Sequence, residues 1–332
     1  MKTKYKHLLF VLFLLLMLII SIILAFSVGS VKMNISEIIN GFTSKNQSVE
    51  GRILYYARLP RILAAIIAGA GLAVSGVLIQ TVLSNPLASP GIIGVNSGAG
   101  LAVTFCMALF PEYVLAIPVA AFIGAFITVI TVCSIAKNAG ASKLTIILSG
   151  IAVSSLLNAG ISTFATFYPE IMSGLRDFQN GGLSGVTFEI LKPTGLMVFV
   201  GIIIVLFLSE ELDILGLGEK NALSLGLNVS FYRFLFLIIA AVLAGAAVSF
   251  AGLIGFIGLI VPHMTKFLLK GCSKRIWIFS SVMTGSTFLL ICDTVARTAF
   301  SPYEIPVGII IAYIGVPFFI WLVFRERRRR HD

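Results

Sequence analysis

The chain is poor in charge. Of its 332 residues only 11% are Asp, Glu, Lys or Arg, whereas 58% are hydrophobic. A soluble domain carries about a quarter charged residues, so the scarcity excludes an ordinary water-soluble globule. Acidic residues are the scarcer sign, 14 against 24 basic ones, and none lies near the centre of the first eight long apolar runs. An ionisable group inside a bilayer is costly and normally marks a proton or ion relay, so an ion-coupled carrier lacks its principal device here. The cysteines, Cys106, Cys133, Cys272 and Cys292, form no CxxC pair and no Cys/His cluster. That removes a zinc site or a disulfide framework and leaves buried, inert thiols. His7, His263 and His331 are equally scattered, so no resident metal is expected. There is no GxxxxGK[ST] phosphate loop, no HExxH or GxSxG motif and no paired-carboxylate arrangement. Neither ATP hydrolysis by the chain itself, nor enzymatic chemistry, nor a cofactor is expected.

What the chain has in abundance is continuous apolar sequence. The runs are near 20 residues long, the length of a membrane-spanning helix, and do not alternate over about 10 as β-barrel strands do. The reading is an all-α, polytopic membrane protein forming a single transmembrane domain over 1–332. Ten spans are laid out at roughly 8–28, 62–83, 91–110, 114–136, 144–168, 194–209, 233–250, 252–269, 276–295 and 305–324. The first is read as a span and not a cleaved leader, because a secretory apolar region runs only about 7–15 residues. The unbroken apolar stretch from Phe234 to Leu269 is too long for one crossing, so a reversal is placed at Ala251-Gly252.

Ten spans put both termini on one side, and basic residues select it. A cytoplasmic N-terminus places 16 of the 24 Lys and Arg residues inside, the tail at 325–332 contributing most. The protein is therefore expected in the cytoplasmic membrane with both termini in the cytoplasm. Basic residues beside apolar segments orient a membrane protein and do not indicate nucleic-acid binding. Five of the eight outer basic residues crowd between Lys32 and Arg61, a concentration that the orientation rule does not explain.

Polar groups within the spans are few. The fifth span carries Ser149, Ser154, Ser155, Asn158, Ser162, Thr163 and Thr166, which suits either helix–helix hydrogen bonding or the lining of an aqueous path. Asp293 and Arg297 are one turn apart, the spacing of a local ion pair, although Arg297 could also face a partner. His263, alone after Pro262, reads as structural or interfacial. The segment 209–232, "SEELDILGLGEKNALSLGLNVSFY", spaces leucines helically between acidic residues and glycines. It reads as short amphipathic helices, either lying on the headgroups or docking a cytoplasmic protein.

Seven motifs in order carry a resemblance: "RLPR" at 58–61, "GAGLAVSGVLIQ" at 69–80, "NPLASPGIIGVNSGAG" at 85–100, "GEKNALSLG" at 218–226, "GLIGFIGLIVPH" at 252–263, "DTVAR" at 293–297 and "EIPVGIIIAYIGVPFFIWL" at 304–322. The chain resembles the permease subunits of type II ATP-binding-cassette importers for iron–siderophore complexes, haem and vitamin B12. The resemblance implies a second permease subunit, two cytoplasmic ATPases, an external substrate-binding protein and a metal-chelate cargo of the iron–siderophore kind, with vitamin B12 or haem as the alternatives. It implies that Arg58, Arg61 and Arg297 dock the binding protein. It places ATPase coupling in 209–232 (Leu215, Gly218, Glu219, Ala222, Leu225 and Gly226), with His263 nearby. Asn85, Asn96, Ser154, Asn158 and Ser162 are candidates for the translocation path.

Overall fold

The computed structural model describes residues 2–29, 33–44, 48–140, 142–269 and 271–328. Lys32, Lys45 and Lys270, which entered the orientation argument, and the basic tail from residue 329 onward lie outside the described residues. Among the described residues every regular element is helical.

Helix α1 (Lys2–Ser27) is followed by the short α2 (Ile35–Ser44). Next, α3 (Val49–Arg52), a π-helical turn (Ile53–Arg58) and α4 (Leu59–Val82) form one continuous rod. A 3₁₀ turn at Pro90–Ile93 leads to α5 (Val95–Leu109), α6 (Ala116–Asn138) and α7 (Lys143–Phe167). Then come α8 (Met172–Asn180), α9 (Phe188–Phe207), α10 (Ser209–Gly216), α11 (Glu219–Ser224), α12 (Val229–Ala251), α13 (Ile257–Leu268), α14 (Lys274–Thr298) and α15 (Val307–Arg328). Each of the ten expected spans is a helix. Seven are long and apolar enough to cross a membrane, while α5, α13 and the apolar part of α15 are shorter. At 12 residues, α13 extends only about 18 Å, against a hydrocarbon core of about 30 Å. The sixth span also begins earlier than hydropathy placed it, at Phe188, with Pro193 inside the helix.

The bundle is organised around α4. Of its most apolar stretch 83% is buried, against 17% for α1 and for α7. The small residues of "GAGLAVSG" cause this, because without side chains at the contact two backbones can meet. A Cβ on Gly69 would stand 2.3 Å from the Gly285 carbonyl oxygen of α14, and one on Gly76 would stand 1.9 Å from that of Gly258 in α13. Polar side chains bridge the same seams. Ser75 donates to the Ala240 carbonyl of α12 at 2.8 Å, Gln80 to the Leu259 carbonyl of α13 at 3.2 Å, and Ser286 of α14 to the Ile66 carbonyl at 2.9 Å.

The reversal expected at Ala251-Gly252 is a non-helical passage, residues 252–256, between α12 and α13. Gly252 takes φ +68° and the Leu253 N–H donates to the Phe178 carbonyl of α8 at 2.8 Å. The Gly182 N–H donates to the Ala251 carbonyl at 2.9 Å. Irregular backbone at membrane depth is stable only where protein satisfies its polar groups, and the α8 turn supplies that here.

The packing yields a first prediction. Gly76→Ala forces α4 and α13 apart and should lower stability by about 1–3 kcal/mol, the cost of overpacking a dense core. Gly182→Ala, where a Cβ meets nothing within 4 Å, should be near neutral. Thermal unfolding of the two purified variants, followed by size-exclusion fluorescence, checks this; equal midpoints would contradict it.

Candidate functional site

Three places carry polar chemistry. At the end of the bundle where α1 finishes, the three arginines sit in one cluster. Arg58 closes the π-helical turn and donates to the Phe26 carbonyl, while Arg297 near the end of α14 donates to the Ala25 carbonyl. Both are buried, at 4% and 8% exposure. They meet the last carbonyls of α1, where unsatisfied acceptors and the negative end of the helix dipole favour a cation. Arg61 is engaged differently. Its Nε lies 3.0 Å from both oxygens of Asp293, and its Nη1 lies 2.8 Å from Glu304. The carboxylate of Asp293 thus pairs with Arg61 on α4 and not with Arg297 one turn away, which corrects the local pair that the spacing suggested. Helical spacing permits the local contact, but Arg297 is drawn toward α1. The outward display expected of the arginines is corrected in the same way: Arg58 and Arg297 point into the subunit, and only Arg61 and Glu304 reach the rim.

At the opposite end, α10 and α11 cap the bundle. Leu212 and Leu215 are buried, and the Asp213 carboxylate accepts from the Lys274 backbone N–H at 3.1 Å, capping the start of α14. Gly218 and Gly226, at φ +97° and +80°, bracket α11 with turns that a side chain would strain. Glu219 pairs with Arg233 of α12 at 2.9 Å, and Ala222 is fully buried. The expected outward face of Leu215, Ala222 and Leu225 is therefore divided. Leu215 and Ala222 anchor the segment to the subunit, whereas Leu217, Leu223 and Leu225 are exposed. His263 is half-buried on α13. Beside it, Trp277 of α14 donates to the Pro262 carbonyl at 2.8 Å and lies under the ammonium of Lys274, 4.4 Å from the ring centroid. Between α13 and α14 burial pushes the Cys272 thiol up, which suits an unreactive group.

The third place is α7. Ser155, Ser162, Thr163 and Thr166 donate to the carbonyls four residues back and, with Asn158, are exposed. Ser154 is engaged with Ser97 of α5 at 3.0 Å, and Asn85 accepts from the Leu87 N–H in a local turn. Asn96 is half-buried at the start of α5. Of the five path candidates, Asn158 and Ser162 thus share the open side of α7, and Asn85 and Ser154 are engaged within the subunit.

The model of the FecCD transport family matches residues 17–325. The chain belongs to the FecCD transport family. Its FecCD relatives include the Fe(3+)-citrate import system permease protein YfmE of Bacillus subtilis, 35% identical over 99% of this chain and 98% of that one. The cobalamin import system permease protein BtuC of Halobacterium salinarum is 41% identical over 82% of this chain and 73% of that one. A solved inward-facing metal-chelate-type ABC transporter superposes with a TM-score of 0.85 at 30% identity, covering 95% of this chain and 98% of that one. The chain is accordingly a multi-pass membrane permease subunit of an ABC importer, a transport component and not an enzyme. The segments "RLPR" and "DTVAR" supply both sides of the arginine cluster. Sequence reading passed over Glu304 as a partner of Arg61; its place in "EIPVG" beside "DTVAR" was the available signal.

The cluster gives a second prediction. Asp293 has a side-chain exposure of 2% and Glu304 of 45%. Removing one member of a buried pair strands the other charge and costs about 3–5 kcal/mol, whereas an exposed pair contributes about 0–1 kcal/mol. Asp293→Asn should therefore destabilise the protein severely and Glu304→Gln barely. Chemical denaturation in detergent distinguishes them, and comparable losses would contradict the assignment.

Proposed function

We propose that this subunit passes an iron–siderophore-type metal chelate across the cytoplasmic membrane, driven by separate cytoplasmic ATPases and supplied by an external binding protein. The observation that carries the cargo reading is the end-to-end match to a ferric citrate permease. The supporting feature of the path is α7, whose exposed side presents an amide and hydroxyls that lipid would not solvate. Beside a second permease copy, homologous or identical, that side forms one wall of a passage. A hollow lined by Thr163, Phe164, Phe167 and Tyr168 lies at its end. Hydroxyls already bonded to their own helix present weak, uncharged contacts, which let a bulky chelate through without holding it. The N-terminus lies in the cytoplasm, so the arginine cluster faces outward and α10–α11 face the ATPase. Loss of this chain should abolish uptake of radiolabelled ferric chelates and leave cobalamin and haem uptake intact. Loss of cobalamin or haem uptake alone would reassign the cargo.

Coupling in this reading runs through the exposed leucines of 209–232. Leu223→Asp or Leu225→Asp would place an uncompensated charge in a packed interface, costing at least about 3 kcal/mol, while the buried anchors keep the segment folded. ATPase co-purification and transport should be lost with the thermal midpoint unchanged; retained coupling would refute the placement. Docking of the binding protein engages Arg61 at the rim, with Arg58 and Arg297 adding positive field from beneath. Its carboxylates would compete with Glu304 for the guanidinium fork. Binding-protein-stimulated ATPase activity should then weaken with added salt and strengthen in Glu304→Gln. A salt-independent response would place docking elsewhere.

A further inference from the structure

At the end of the bundle that carries α10 and α11, a hollow of about 290 Å³ opens where α6 ends and where α7 and α12 begin. Its walls are of two kinds. Cys133 of α6, Ile146 of α7 and Phe234 and Leu237 of α12 make an apolar slot, and Lys137 and Arg233 add two cations. None of the lining residues is acidic; Lys137 is exposed, and Arg233 is buried and pairs with Glu219 of α11 from outside the hollow. Lys137 lies in the last turn of α6 and Arg233 in the second turn of α12, so both stand where the helices leave the apolar layer. The face of α6 that carries Lys137 is apolar and exposed, at Ile123 and Ile130. The slot thus meets an exposed apolar face of α6.

Two cations above an apolar slot at a helix boundary match one kind of molecule, a lipid with a negative headgroup. We infer that this hollow binds an anionic phospholipid, its phosphate between Lys137 and Arg233 and an acyl chain along Cys133, Phe234 and Leu237. A docking protein fits less well, because its surface would have to enter the apolar layer, whereas the exposed leucines of α11 stand clear of it. Arg233 also holds Glu219 of α11 at 2.9 Å. A phosphate sharing that guanidinium links the position of the α10–α11 segment to the lipid composition around it. The site depends on the membrane embedding of the chain and on no particular cargo.

Native mass spectrometry of the purified full-length subunit, titrated with phosphatidylglycerol or with phosphatidylcholine of the same acyl chains, tests the site. A basic residue near a membrane surface strengthens anionic-lipid binding about fivefold. Phosphatidylglycerol should therefore be retained preferentially, and Lys137→Ala should reduce that preference about fivefold. Because Lys137 is exposed, the variant should fold normally. As a second measurement, inorganic phosphate added to the titration should not displace phosphatidylglycerol. Equal retention of the two lipids, or a preference that Lys137→Ala leaves intact, would overturn the proposal. So would competition by free phosphate, which would make the site an anion site. Loss of ATPase co-purification in Lys137→Ala with lipid binding unchanged would make it a protein-docking surface.

Discussion

Backbone contact between α4 and the helices around it is the constraint from which the rest of the structure follows. Lipid tails are as apolar as leucine, so hydrophobicity alone gives two membrane helices little reason to associate; close packing and interhelical hydrogen bonds must do so. Gly69 against Gly285 and Gly76 against Gly258 bring backbones to a distance at which no Cβ fits. At that range Ser75, Gln80 and Ser286 reach carbonyls on neighbouring helices. Once α12, α13 and α14 are set around α4, the remaining long helices lie at the periphery, and α1 and α7 leave most of their surface uncovered. A permease that works beside a second subunit needs an uncovered wall of that kind.

Among the described residues charge is confined to the two ends of the bundle, and each end uses it as a joint. At one, Arg58 and Arg297 hold the last carbonyls of α1, and Asp293 and Glu304 hold Arg61. Five ionised groups thereby connect α1, α4, α14 and the approach to α15. At the other, Asp213 caps α14 and Glu219 holds Arg233, so α10 and α11 are fastened at two points to helices that run through the core. Short polar contacts thus tie α11 to α12 and α10 to α14. Among the described residues the apolar middle carries no such joint.

Much of this was legible in the chain. Composition and run length determined the class, the ten helices and the break near Ala251-Gly252, because solvation of each segment is a local property. The glycines at 218 and 226 marked the limits of α11 for the same reason: a backbone turn with positive φ strains a residue that carries a side chain. The absence of phosphate-binding and catalytic motifs likewise separated a transport subunit from an ATPase or an enzyme. The order of seven motifs carried the family.

What tertiary structure alone decided is the use of each polar side chain. Asp293 and Arg297 have the spacing of a local pair, yet the partner of Asp293 lies 232 residues away in the sequence. Leu215, Ala222 and Leu225 share one amphipathic pattern, yet two are buried against the subunit and the third faces outward. Asn85 and Ser154 are polar in an apolar chain, as Asn158 is, but the first two complete internal hydrogen bonds. Periodicity states which residues share a face of a helix. It does not state what that face meets, because a neighbouring helix, the bilayer and a partner protein all accept an apolar surface. Only the packed structure, by bringing distant segments within hydrogen-bond reach, distinguishes among them.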